Sequence, residues 1–263
     1  MNMSKPLCLI SGPVFNRSGY GDWATTIAKS LIRYDKYDIK IAPTRWGNCQ
    51  TKRFLDDIDD PEDRVLSSKF LQGPLNKQPD LFIQLTIPEE FQPIGKYNIG
   101  MTAGIETTIS PGSWLEGINK MNLTIGLSNH VKKVFLETKM AKKMDNGQQV
   151  AIQVEKPIEV CFWGADTRIY KKTDEKMNTI EEAMSSIKES SAFLFIGQWT
   201  HGGLYNDRKD IGNLVKTFCN AFKNNAENDK PCLILKTSGA NYSIIDRFEI
   251  LKKIKRIRES IGQ

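Results

Sequence analysis

Histidine is nearly missing from this chain: His130 and His201 are the only two in 263 residues. That excludes a histidine-rich metal centre. Cysteine is also sparse. Cys8, Cys49, Cys161, Cys219 and Cys232 are odd in number, widely spaced and without a C-x-x-C pair, which excludes both a disulfide framework and a zinc site. Such usage fits a reducing cytosol, so a cytoplasmic location is expected. No apolar run approaches the ~20 residues that cross a bilayer. The first apolar stretch, Pro6 to Ile10, meets Ser11-Gly12-Pro13 too soon for the core of a signal peptide. Without secretion, the N-x-S/T triplets at Asn16, Asn122 and Asn241 carry no meaning. Internal repeats and low-complexity segments are lacking too.

What is there reads as an ordinary globular protein, with 40% hydrophobic and 26% charged residues. The net charge of +6 suits an anionic ligand such as a nucleotide diphosphate, but is too small to argue for nucleic acid. Short apolar runs predict strands near 6–11, 38–43, 80–86, 97–102, 122–128 and 157–162. Several are apolar on both faces, as strands covered by helices on both sides must be. Amphipathic stretches between them predict helices near 20–34, 62–71, 112–120 and 129–138. This alternation implies βαβ units and a parallel, doubly wound sheet. Asp145-Asn146-Gly147 marks a turn, so 139–156 reads as a surface hairpin or loop.

Residues 171–190 are polar and charged, with one weak helical pattern, and 176–190 is taken as a linker between units at 1–175 and 191–263. The second unit reads as a strand at 192–197, a helix near 209–224, a strand at 232–237 and a helix near 244–259. On the last helix, Ile244, Phe248, Leu251, Ile254 and Ile257 read as the buried stripe, with the Lys252–Arg258 cations as the solvated face. Two parallel strands leave an exposed sheet edge after residue 237. Either another chain covers that edge or this is part of a longer protein.

Four motifs carry candidate chemistry. Gly19-Tyr20-Gly21 opens the first helix, where free N–H groups and the positive dipole end favour an anion; the competing reading is a tight turn. Glu106, in Gly104-Ile-Glu-Thr-Thr108, follows a buried strand at its carboxyl end, where open α/β sheets bind ligands. It is placed to contact sugar hydroxyls or, more plainly, to cap a helix or pair with a lysine. Gly164 and Asp166 form a turn, and a simple Asx turn explains them equally. Gly197 ends a strand, and Arg208-Lys209 then stand at a helix N-terminus. Two cations there oppose the helix dipole unless an anion such as a diphosphate lies between them. A solvated basic pair is the alternative.

In order, these motifs resemble the family 4 glycosyltransferases and their relatives. The resemblance runs through Ser18-Gly-Tyr-Gly21; Glu106-Thr-Thr108 with Pro111, Trp114 and Asn122–Ser128; Gly164-Ala-Asp166; and Phe195-Ile-Gly197 with Arg208-Lys209, Leu214 and Phe218. It ends in Leu235-Lys-Thr237 and covers nearly the whole chain. It departs at Gln198, Asn122 and Gly126, and the family's paired C-terminal glutamates have no counterpart before Gln263.

The resemblance implies an α/β protein of the GT-B class. An N-terminal Rossmann-like domain with a parallel sheet would take the acceptor side, and a partial second Rossmann-like domain would bind a nucleotide sugar. It implies a hexosyltransferase-type enzyme, retaining, with no metal or cofactor besides the nucleoside-diphosphate sugar. Gly19, Tyr20, Gly21, Gly164, Asp166, Gly197, Arg208 and Lys209 would bind donor, and Glu106 would act in catalysis. Two other readings remain: a non-catalytic interaction protein on a truncated fold, and another nucleotide-binding enzyme such as an oxidoreductase. The latter would need a G-x-G-x-x-G with its later acidic residue, which this sequence lacks.

Overall fold

The computed structural model describes residues 5–47, 49, 60–168, 170–174, 178–200, 202, 204–239 and 243–262, so His201, Asn241 and Gln263 lie outside the described residues. The chain divides into two compact units, Met1–Ala165 and Asp166–Gln263.

The first unit is built on six parallel strands: β1 (Leu7–Gly12), β2 (Asp38–Pro43), β3 (Leu81–Leu85), β4 (Tyr97–Thr102), β5 (Leu123–Gly126) and, after the hairpin described below, β8 (Ile158–Val160). They lie in the order β2-β1-β3-β4-β5-β8. β1 is the hinge of this order. It pairs with β2 on one side, Leu7 opposite Asp38, and with β3 on the other, Cys8 opposite Leu81. Its residues are almost all buried, as a central parallel strand requires.

Helices flank the sheet: α1 (Gly19–Tyr34), α2 (Pro61–Ser67), α3 (Gly112–Asn119) and α4 (Asn129–Glu137). The starts of α1, α2 and α4 are capped as their sequences dictate. Ser18 Oγ accepts from the Gly21 N–H at 3.1 Å, Asp60 Oδ1 from Glu62 at 2.9 Å, and Ser128 Oγ from Val131 at 3.2 Å. One core gathers Ile10, Trp23, Ala28, Ile41 and Leu85; a second gathers Phe91, Leu115, Ile118, Val131 and Phe135.

Asn122 is structural. Its Oδ1 accepts from the Asn98 N–H at 2.9 Å and so ties β5 to β4. The expected hairpin forms from β6 (Met140–Lys143) and β7 (Gln149–Ile152), paired antiparallel across the Gly147 turn. The second helix ends earlier than expected, at Ser67 rather than 71. Lys69 to Leu71 instead run beside the edge strand, with Ile41 N–H donating to Lys69 O and Leu71 N–H to Ile41 O, each at 2.9 Å. Unpaired edge groups on β2 are satisfied that way.

The second unit comprises α5 (Asn178–Met184), β9 (Ala192–Gln198), α6 (Ile211–Phe222), β10 (Cys232–Ser238) and α7 (Ile244–Ser260). β9 and β10 pair in parallel, Ala192 opposite Cys232 through Gln198 opposite Ser238. Phe195, Leu233 and Leu235 turn one face of this pair toward Trp199, Ile211, Val215, Ile250 and Ile257. Alternation along β9 puts Leu194 and Ile196 on the other face, where they are 62% and 64% exposed. The expected buried stripe of α7 is corrected: Ile250 and Ile257 are buried and Ile254 is half-buried, whereas Ile244, Phe248 and Leu251 are exposed. Apolar residues lie on more than one side of α7, and periodicity alone does not say which side meets the sheet.

Gly117 on α3 shows how closely the first unit packs, since a Cβ there would lie 1.8 Å from the Pro88 carbonyl oxygen. Backbone must move to admit it. Gly117→Ala is expected to lower stability by about 2–3 kcal/mol, in the range of overpacking, as read from the urea midpoint of the first unfolding transition.

Candidate functional site

Because the strand order reverses at β1, the carboxyl ends of β1 and β3 mark the topological switch point, the place where open α/β sheets hold ligands. The segment from Pro13 to Ser18 leaves β1 there and enters α1. Phe15 takes a left-handed backbone, φ 62°. Its N–H donates to Thr25 Oγ1 at 2.9 Å, and that hydroxyl donates to Gly21 O at 2.7 Å. Gly21 is demanded by this turn, because a Cβ would lie 1.9 Å from Asn16 O. Gly19 is not so constrained: its Cβ position is open apart from Trp163 Cζ3 at 3.9 Å. The two glycines therefore have different reasons to be there, and only Gly19 leaves room for a ligand.

Tyr20 reaches from α1 to the end of β4. Its hydroxyl shares a hydrogen bond with Thr102 Oγ1 at 3.0 Å and accepts from the Ala103 N–H at 2.9 Å. The Gly104 N–H donates to the same threonine oxygen at 3.2 Å. Trp46, just past the carboxyl end of β2, stacks on Tyr20 with ring centroids 4.0 Å apart and planes 24° apart. Trp23 meets Tyr20 at an edge from the core side, at 6.3 Å.

Burial pushes the Tyr20 phenol above its ordinary pKa. The two hydrogen bonds oppose that rise, and the carboxylates of Glu106 and Glu90 add to it. Glu106 is exposed in the loop after β4, and Glu90 is held by the Thr86 hydroxyl. The aromatic stack and the segments that carry the two carboxylates therefore lie at the same carboxyl edge of the sheet. Tyr20 and Glu106 were legible as candidates. Trp46, Thr102 and Glu90 were missed, and the available signal was only that each lies at or just after a strand's carboxyl end.

Gly164 follows exposed Phe162 and Trp163. A Cβ at Gly164 meets nothing within 4 Å, so neither packing nor a turn explains this glycine. Asp166 forms the local turn: it accepts from the Arg168 backbone N–H at 3.0 Å and from its guanidinium at 2.7 Å. That is the plainer of its two readings.

In the second unit, Gly197 lies opposite Thr237 near the end of β9, which runs one residue further, to Gln198. Arg208 and Lys209 stand in the turn before α6 and are exposed; Ile211, not either of them, begins the helix. The charge at this helix start is resolved by a residue sequence reasoning missed. Asp207, 9% exposed, accepts from the Ile211 N–H at 2.9 Å through Oδ1 and from the Gly212 N–H at 3.1 Å through Oδ2. Asp210, at the cap position, is left-handed with φ 52° and makes no side-chain cap. A carboxylate already answers the dipole, which leaves the two cations to act by their side chains.

An open groove of about 640 Å³ lies elsewhere in the first unit, between α3 and β7. There Asn119 bonds Gln153 O and the Glu155 N–H, each at 2.8 Å, which is structural work. Among the described residues no cluster of three or more metal-binding side chains occurs. No known family model matches the chain, and no curated protein matches it.

Two outcomes are expected. Asp207→Ala should cost the second unit about 1–2 kcal/mol, as the loss of a helix cap does, with Asp207→Asn costing less; urea unfolding followed by the Trp199 signal checks this. In an alkaline ultraviolet titration, one phenol should ionise later than ordinary tyrosine, and Tyr20→Phe should abolish that phase. With its folded pKa raised, Tyr20 stabilises fully below the unfolded value of ~10. That contribution falls as pH rises through the unfolded pKa and is gone above the folded one, because the unfolded state loses the proton first.

Proposed function

We propose that this chain is a GT-B-class glycosyltransferase that moves a sugar from a nucleoside-diphosphate sugar to an acceptor hydroxyl, with retention and without a metal. The observation that carries this reading is the Tyr20–Trp46 stack at the carboxyl edge of the first sheet, with Glu106 and Glu90 in the segments that follow β4 and β3 at that edge. Sugar rings offer C–H faces that suit aromatic surfaces, and hydroxyls that donate to carboxylates. The first unit takes the acceptor, with Glu106 holding one of its hydroxyls. Gly19 and Gly164 supply approach without a side chain in the way.

The second unit takes the donor, with Lys209 and Arg208 on the diphosphate. As the bond from the sugar's anomeric carbon to the diphosphate oxygen breaks, negative charge grows on the leaving diphosphate. These two cations meet it. The acceptor oxygen forms the new bond to that carbon on the face the diphosphate leaves, and its proton passes to the departing diphosphate oxygen. A second reading, a non-catalytic interaction protein, is favoured by the bare apolar face of β9 at Leu194 and Ile196.

Calorimetric titration with UDP- and GDP-sugars separates the two. Lys209→Ala should weaken donor binding about 10- to 100-fold, the worth of a charge-assisted contact of ~1.5–3 kcal/mol. Glu106→Gln should leave donor affinity unchanged and cut acceptor-dependent turnover by a similar factor. Absence of heat with any sugar nucleotide on the unaltered chain would favour the interaction protein. Unchanged affinity in Lys209→Ala would make the basic pair a solvated feature only.

A further inference from the structure

Helix α7 carries two apolar stripes, and the fold uses only one. Ile250 and Ile257 are buried against the layer formed by Trp199, Ile211 and Val215. Ile244, Phe248 and Leu251 recur at i, i+4 and i+7, yet are 89%, 63% and 54% exposed. Phe248 and Ile257 stand about two and a half turns apart at ~3.6 residues per turn, so they point in opposite directions. In a layered α/β unit the helices form the outer layer. A strand added beside β10 would cover the flank of α7, and a helix laid on Leu194 and Ile196 would cover the far face of the sheet. Neither reaches Phe248, whose side chain points away from both.

The surroundings of this stripe are cationic. α7 carries six basic residues, Arg247, Lys252, Lys253, Lys255, Arg256 and Arg258, against three acidic ones, Asp246, Glu249 and Glu259. Asp246 is engaged locally, accepting from the Gly239 N–H at 3.0 Å. Lys253 lies over the Trp199 ring at 5.1 Å, on the buried side. Lys252 and Lys255 sit beside the exposed stripe. Their contacts with Glu249 at 3.9 Å and Glu259 at 3.8 Å are long, exposed pairs of the kind that contribute little. An outward apolar stripe in a basic surround is complementary to one kind of surface: anionic lipid headgroups over an acyl layer.

We propose that the outer face of α7 seats this protein on an anionic membrane surface. Phe248 and Leu251 enter the boundary between headgroups and acyl chains, while Lys252, Lys255 and Arg258 meet lipid phosphates with their aliphatic stems along the apolar layer. No described helix is long and apolar enough to cross a membrane. The proposal is independent of the glycosyltransferase reading.

Flotation of the full chain with vesicles tests it, using pure phosphatidylcholine and an equal mixture with phosphatidylglycerol at ~0.15 M salt, where exposed charges are partly screened. Partition onto the anionic vesicles should exceed that onto the neutral ones at least tenfold. The double change Phe248→Ser and Leu251→Ser should reduce it at least tenfold with an unchanged Tm, because both side chains are exposed in the folded protein. Lys252→Ala with Lys255→Ala should weaken binding and flatten its salt dependence. No partition, equal partition onto both vesicles, or full binding by the double serine variant would overturn the proposal. So would a dimer of the unaltered chain that the double serine variant converts to monomer in light scattering, because a second copy would then be the occupant of the stripe.

Discussion

The close approach of helix α1 to the loop that precedes it governs the carboxyl edge of the first sheet. With no Cβ at Gly21, the helix backbone rests against Asn16 O. The Thr25 hydroxyl bonds Gly21 O and receives the Phe15 N–H, locking loop and helix together. From that fixed start Tyr20 has a defined reach, and it ends on Thr102 and Ala103 at the tip of β4. The side chain crosses the place where strand order reverses, and it carries Trp46 on its face. If α1 began further from the loop, the phenol would not meet β4.

The second unit turns on a different constraint, the charge at the start of α6. A helix N-terminus favours an anion, and the residues at hand include Arg208 and Lys209 as well as Asp207 and Asp210. The nearest acid, Asp210, is left-handed and makes no cap, while Asp207 folds inward onto the Ile211 and Gly212 amides. The helix is satisfied within the chain, and the two cations stay at the surface. Their place in a diphosphate site then rests on side-chain charge and reach rather than on the helix dipole. The sheet below is a single parallel pair with one covered face, a construction in which any further cover must come from outside these elements.

The strands and the order of elements were legible because their signals are local. Runs such as Leu7–Gly12 and Leu81–Leu85 are apolar on both faces, which only a covered parallel strand tolerates, and Ser18, Asp60 and Ser128 mark helix starts by a hydrogen bond within three residues. Gly19, Tyr20 and Glu106 were read as candidates from their position after strands. What escaped depends on residues distant in the chain. Trp46 reaches Tyr20 only because β2 pairs in the sheet with β1, whose carboxyl end leads into α1. Gly117 is a glycine for the sake of a carbonyl oxygen on another segment, at Pro88.

Helix α7 draws the line most clearly. The amino-acid sequence by itself determined that Ile244 to Ser260 is helical and that it has apolar side chains, through its Ser243 cap and its helix-forming composition. It did not determine which apolar stripe is buried. Ile244, Phe248 and Leu251 repeat at helical spacing as well as Ile250, Ile254 and Ile257 do, so local periodicity weighs them alike. Only packing against α6, Trp199 and β10 chose the second set and left the first facing outward, because burial is a property of the surface a side chain meets and not of the side chain alone.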